Sequence, residues 1–324
     1  MSKRHPRKNP NAKPNMMPFT IRDFEKMFPD DAACLEWLRN RLYPEGVYCI
    51  KCERTTKHHR VASRPSYSCD FCGHHVHPTA GTIFHKSPTP LRLWFYAIYL
   101  MASTRCGVSA KQIQRETGVT YKTAWRMFKQ IRSMLDDNPE GPLGGNGKRV
   151  EVDEAYFGGR RKGGVGRPLS GDKSNKAIVV GLVQRKGGVR AVVADDVKSP
   201  TLLGLVKEHV LPYTTVFTDD FPSYIALDHH RNGYQHHRIN HSEKIYVCGE
   251  VHTNTIEGFW SLLKRGLSGV YHQVGRNYLQ TYLNEYSFRY NRRHDVTPMF
   301  ASFLNQISKR DVVVRQAPAE VEPF

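Results

Sequence analysis

The sequence predicts a mixed α/β domain over 149–312, preceded by a small cysteine-held ribbon and a helix-turn-helix. Three observations predict it. After Arg149, apolar runs of strand length come first and helical periodicities alternate with them later, the order of a mixed sheet covered by helices. Upstream, four cysteines fall into two close pairs. Between these regions lie a short helical segment, a glycine and a second, basic helical segment.

Taken in order, 1–17 carries Lys3, Arg4, Arg7, Lys8 and Lys13, three prolines and no acid, and reads as a disordered basic arm. From Thr20 the pattern turns helical, and Leu35, Leu38 and Leu42 recur at helical spacing until Pro44 ends the run. Cys49-Ile-Lys-Cys52 follows and, sixteen residues on, Cys69-Asp-Phe-Cys72. Two thiolate pairs at this spacing can share one tetrahedral structural zinc. The ribbon, within 18–88, is too small to hold together without its ion. His58, His59, His74, His75, His77 and His85 are expected to face solvent or phosphate instead of replacing a thiolate.

The region 89–135 is helical. LRLWFYAIYLMAS, after Pro90, is expected to be buried on most sides. The run 107–118 reads as a short helix closed by a glycine, and 119–132 as a second helix. In a helix-turn-helix, Thr120, Tyr121, Lys122 and Arg126 of that second helix would face a DNA groove, with Trp125, Phe128 and Ile131 turned inward. An ordinary helical hairpin would carry the same pattern. The run 136–148 holds two prolines and four glycines and reads as a linker.

Beyond it, VEVDEAYF reads as a strand ending near Asp153, followed by the basic glycine-rich loop GGRRKGGVGRP. Strands KAIVVGLVQ and VRAVVADDV, a helix over 201–210, and a strand over 214–220 with acids at its end come next. A short helix over 222–227, a strand over 234–240 and a helix carrying Glu257 continue the domain. The last long helix, 276–293, spaces Tyr278, Tyr282, Tyr286 and Tyr290 four apart, a stripe read as packing ahead of base stacking. Arg289 and Arg292 cluster at its end and are expected at DNA. The tail, 313–324, reads as disordered.

The 324 residues carry a formal net charge of +18, which calls for a polyanionic partner. A hydrophobic fraction of 39% permits a core. The longest apolar run, LWFYAIYLMA, is too short to span a bilayer, and the basic opening lacks the apolar centre of a signal peptide. No membrane partner is expected. Seven cysteines, an odd number with no export signal, argue against a disulfide framework. A cytoplasmic, bacterial-style protein associated with the nucleoid is expected.

Three acidic positions complete the reading: VEVDEAYFGGR, VFTDDFPSY and HTNTIEGFWSLLKRG. In this order they resemble the DDE transposases of bacterial insertion sequences, in particular those with an N-terminal zinc ribbon and an ISXO-like catalytic domain. The likeness covers residues 30–300. It implies a ribonuclease-H-like core and two magnesium (or manganese) ions. It also implies double-stranded DNA, element ends and target alike, as substrate, and a homo-oligomer assembled on it. Matched position by position, it assigns the catalytic acids to Asp153, Asp219 and Glu257 and a basic partner to Lys264. Asp219 and Glu257 are 38 positions apart, close to the family pattern.

The chemistry agrees. Phosphodiester transfer needs an activated nucleophile and a stabilised leaving oxygen, and two magnesium ions about 4 Å apart supply both. Such ions take hard oxygen ligands. Residue pattern alone leaves alternatives open. Glu151 and Glu154 flank Asp153, and Asp220 follows Asp219. Asn254 as helix cap with Glu257 three residues on would also make a capping box, which would claim the Glu257 carboxylate for the backbone.

Overall fold

The structure is a computed structural model and describes residues 18–135, 141–158, 176–228, 233–239, 253–272 and 274–308. The basic arm, most of the glycine-rich loop and the tail expected from the sequence lie outside the described residues. The chain divides into two compact units, one of 18–104, 110–134 and 297–308, the other of 105–109 and 135–296.

In the first unit, helix α1 (Ile21–Met27) starts at a capping box in which Thr20 and Asp23 bond each other's backbone amides. Helix α2 (Asp31–Leu42) is capped by Asp30. Strands β1 (Val47–Cys49) and β2 (Arg54–Thr56) form one hairpin, and β3 (His58–Val61), β4 (Ser66–Cys69) and β5 (His75–Val76) an antiparallel sheet. Helix α3 (Leu91–Ser103) buries seven residues, among them Trp94, Phe95, Ile98 and Met101. Helix α4 (Ala110–Thr117) ends at Gly118, whose φ of +71° suits glycine, and α5 (Tyr121–Ser133) begins at its Thr120 cap. The inward face of α5 is Ala124, Met127, Phe128 and Ile131. Trp125 is only half-buried, because it sits one residue, about 100°, off that i, i+3, i+4, i+7 stripe.

The second unit holds β6 (Leu143–Gly144), β7 (Arg149–Phe157), β8 (Ala177–Gln184), β9 (Val189–Ala194), α6 (Ser199–His209), β10 (Val210–Leu211), β11 (Thr215–Asp219), a 3-10 turn (Pro222–Asp228), β12 (Gln235–Ile239), α7 (Asn254–Gly266), a π-helical turn (Leu267–Tyr271) and α8 (Arg276–Asn291). Its main sheet runs β12-β11-β7-β8-β9, with β8 antiparallel to both β7 and β9, and β11 parallel to β7 and β12. This is the mixed sheet expected. One detail differs: β7 does not end near Asp153 but pairs with β8 as far as Phe157↔Ala177, so Asp153 lies within the strand, opposite Gly181.

Alternation then sorts the side chains of β7. Val150 and Val152 join Val180, Leu182, Leu202 and Val206 in the core under α6, while Glu151 and Asp153 reach residues of α7. Helix α8 runs along the edge of β9. There Gln280 and Asn291 bond the backbone of Val193, Ala191 and Val189, so the edge strand's polar groups are met by side chains. The chain ends its described part in α9 (Met299–Leu304) of the first unit, where Phe300 packs on Phe24 and Phe28. Among the described residues no helix is long and apolar enough to cross a membrane.

Candidate active site

The acids of β7 separate by face and by partner. Glu154 is buried and accepts the Tyr224 hydroxyl at 3.0 Å. Glu151 is fully buried. Its Oε2 accepts the amides of Thr255 (2.9 Å) and Ile256 (3.0 Å), and its Oε1 the Thr255 hydroxyl (2.9 Å) and Arg185 Nε (2.6 Å). Asp153 is half-buried and accepts Trp260 Nε1 at 2.9 Å. The choice the sequence left open is thus narrowed by packing: Glu151 and Glu154 are engaged in structural bonds, and Asp153 keeps oxygen surface.

Asp219 closes β11, the parallel neighbour of β7. The pairing of β11 with β7 ends at Phe217↔Glu151, and Asp219 and Asp153 each follow two residues on, with the same parity. Neighbouring strands lie about 4.8 Å apart, so in-register residues share a face. Asp219 Oδ1 accepts the Phe221 amide, which turns the chain out of the strand, while Asp220 is exposed.

Glu257 stands in the first turn of α7, exposed, and its carboxylate has no hydrogen bond to a described residue. The alternative capping box is not formed. Thr253 is the cap, Asn254 is already helical, and the first-turn amides are taken by Glu151 from the neighbouring strand. Trp260 lies one turn further and is held flat over Gly181, where a Cβ would come within 2.6 Å of its ring. Lys264 is exposed two turns beyond Glu257 and lines a cavity of about 360 Å³ with Tyr156, Ser268 and His272.

Burial raises the Asp153 pKa, and the charges of Asp219 and Glu257 push it further in the same direction, against the Trp260 bond. Asp153 therefore feels the charges of both other acids.

In the ribbon, the sulfurs of Cys49, Cys52, Cys69 and Cys72 all lie within 4.8 Å of one another, with Cys49–Cys72 at 3.4 Å and Cys52–Cys69 at 3.9 Å. Sulfurs about 2.3 Å from a tetrahedral zinc would stand about 3.8 Å apart, so the cluster fits one ion. The Thr56 hydroxyl draws the Cys69 thiol down to about 5, whereas its bond to Cys72 pushes Cys52 up to about 12. One metal equivalent is expected on the purified protein, and chelation should unfold the ribbon. Metal analysis and circular dichroism check this, and a metal-free, still-folded ribbon would contradict it.

The expected DNA-facing residues fare differently. Thr120, Tyr121, Lys122 and Arg126 are exposed on α5, although Arg126 also donates to the His85 carbonyl at 3.2 Å. Arg289 instead turns inward. It is 9% exposed and bonds the fully buried Glu285 one turn earlier, at 2.7 Å and 3.1 Å. Arg292 is half-exposed with its guanidinium over the Phe288 ring. Tyr282 and Tyr286 are buried, Tyr290 is half-buried and Tyr278 is exposed, so only the middle of the stripe packs as expected. The sequence reading missed a cavity of about 660 Å³ in the first unit, rimmed by Arg60, Arg64, His77, His85 and Lys86. Arg60 and Arg64 come from the β3–β4 hairpin and Lys86 from the segment before α3, a grouping that no linear pattern collects. It also missed Glu151, Arg185, Gly181 and Trp260 as supports of the acids. The shared parity of Glu151 and Asp153 was the available signal.

Known proteins resemble this chain in sequence. Residues 142–291 match the ISXO2-like transposase domain. The chain is 30% identical over 283 residues to a protein in transposable element ISH50 of Halobacterium salinarum, covering 82% of this chain and 92% of that one. It is 34% identical over 125 residues to a transposase-like protein of Haemophilus influenzae, 39% of this chain and 97% of that one. Transposase is therefore the class. More narrowly, the chain belongs to the ISXO2-like family of insertion-sequence transposases.

Proposed function

We propose that the protein binds the ends of its insertion sequence, cleaves DNA strands there and joins them to target DNA. The observation that supports this reading best is that the charges of Asp219 and Glu257 both act on Asp153, the three acids coming from two parallel strands and a helix bonded to one of them. A ribonuclease-H-like core is supported by the sheet itself, an antiparallel β7-β8-β9 meander extended by two strands parallel to β7.

Asp153, on the central strand, would contact both of two magnesium or manganese ions, and Asp219 and Glu257 one each. When bound, such ions activate the attacking oxygen and stabilise the leaving one. Lys264 would hold a phosphate beside the scissile bond. Trp260 keeps Asp153 turned toward the site by donating to one of its oxygens.

The zinc ribbon and the α4–α5 pair, read as a helix-turn-helix, would hold double-stranded element ends. Support comes from the exposed Lys122 and Arg126 and from the cationic cavity around Arg60, Arg64 and Lys86. Lys122→Ala should weaken end binding and, if it meets a phosphate, lower the salt slope by about 0.9. Binding measured across a salt series checks this, and an unchanged slope moves the contact elsewhere. A homo-oligomer on DNA is part of the same reading, since two ends must be handled together. The test of the whole is incubation of a labelled element end with magnesium. Joined products support transposition, and cleavage without joining reduces the activity to a nuclease.

A further inference from the structure

Each of the three acids is preceded, two residues upstream, by a residue of one buried assembly. Glu151 precedes Asp153, Phe217 precedes Asp219, and Thr255 precedes Glu257. Glu151 binds Thr255 through its amide and its hydroxyl, and binds the Ile256 amide. It also binds Arg185 Nε at 2.6 Å, and the Arg185 guanidinium stacks over the Phe217 ring, 4.3 Å from its centroid. Phe217 is paired with Glu151 across the sheet. Two strands and a helix are thus tied at one point, one pleat from the site.

We infer that Glu151 and Arg185 are positioning residues, a clamp that sets the spacing of Asp153, Asp219 and Glu257 and so the divalent-ion requirement of the site. The inference rests on the proposed metal-dependent reaction. Its chemistry is specific to a carboxylate. Four donors converge on the two oxygens of Glu151, and the negative charge sits at the positive end of the α7 dipole. A glutamine of the same shape must aim its NH2 group at donors. Turned one way it faces two backbone amides, and turned the other it faces Arg185. Arg185 supplies the charge that allows Glu151 to be buried while ionised. Glu151 is fully buried and the Arg185 side chain only 12% exposed.

The test is Glu151→Gln in the full-length, zinc-loaded protein, with Thr255→Val as the milder companion that removes one donor and keeps the shape. Hydrogen–deuterium exchange reads the clamp itself, without DNA or activity. The amides of Thr255 and Ile256 should lose protection in Glu151→Gln. Strand cleavage across a magnesium series reads the consequence. The half-saturating concentration should rise about 10- to 100-fold, the scale of outer-sphere changes at metal sites, with most of the rate recovered at high magnesium. Thr255→Val should shift it the same way by less, and end binding without magnesium should stay as in the wild type. Unchanged protection in Glu151→Gln overturns the clamp, as does lost protection with an unchanged magnesium requirement. A folded, DNA-binding Glu151→Gln that no magnesium concentration restores would make Glu151 a ligand, and overturn it too. Failure of the underlying reaction looks different, because Asp153→Asn would then cleave normally.

Discussion

Asp153→Asn should lose about 10³-fold or more of strand cleavage and at the same time make the metal-free protein harder to melt. The first effect follows from removing a charge that both ions would share, worth several kcal/mol in the transition state. The second follows from the raised pKa of Asp153. Burial, with Asp219 and Glu257 nearby, disfavours its ionised form in the folded state. For a carboxyl shifted upward, stability is lost as pH rises from the unfolded pKa to the folded one, and the loss persists at neutral pH. Asparagine removes that cost and can still accept from Trp260. Its advantage should show at neutral pH and vanish at acid pH, where the wild-type carboxyl is protonated. Each kcal/mol gained is worth about 2–4 °C in a unit of about 150–250 residues. Calorimetry at both pH values checks it, and a lower Tm for the variant at neutral pH would contradict it.

Arg289→Ala should be costly for a different reason. Its guanidinium neutralises Glu285, which is fully buried. Breaking a buried, hydrogen-bonded ion pair by removing one member costs about 3–5 kcal/mol. Arg289→Met combined with Glu285→Gln should recover most of the loss. A chemical denaturation series separates this from a DNA role. Unchanged stability with weaker DNA binding would return Arg289 to the nucleic-acid surface.

The comparison shows which kinds of information run along the chain. The ribbon cysteines, the glycine-closed helix before α5 and the strands of the mixed sheet were legible because each is local: a spacing, a cap, an alternation. The direction of Arg289 was not. Its position four residues after Glu285 on a helix suits a solvent-exposed pair as well as a buried one, and only the packing of α8 decides. The capping alternative at α7 stayed open in the sequence for the same reason. Asn254 and Glu257 have the right spacing for a box, but Glu151, more than a hundred residues earlier, supplies a better acceptor. The end of β7 was placed too early because an acid in a strand reads as a boundary until β8 is seen to pair past it.

Glu257→Gln tests the account most directly, because Glu257 is exposed and its carboxylate bonds no described residue. Its replacement removes a charge and leaves the fold alone. With a labelled element end, in magnesium and again in manganese, the variant should cleave at least about 10²-fold more slowly. Its melting temperature and its affinity for the end should match the wild type. Full cleavage by Glu257→Gln in both metals would remove Glu257 from the site and leave the three-acid reading without its third member.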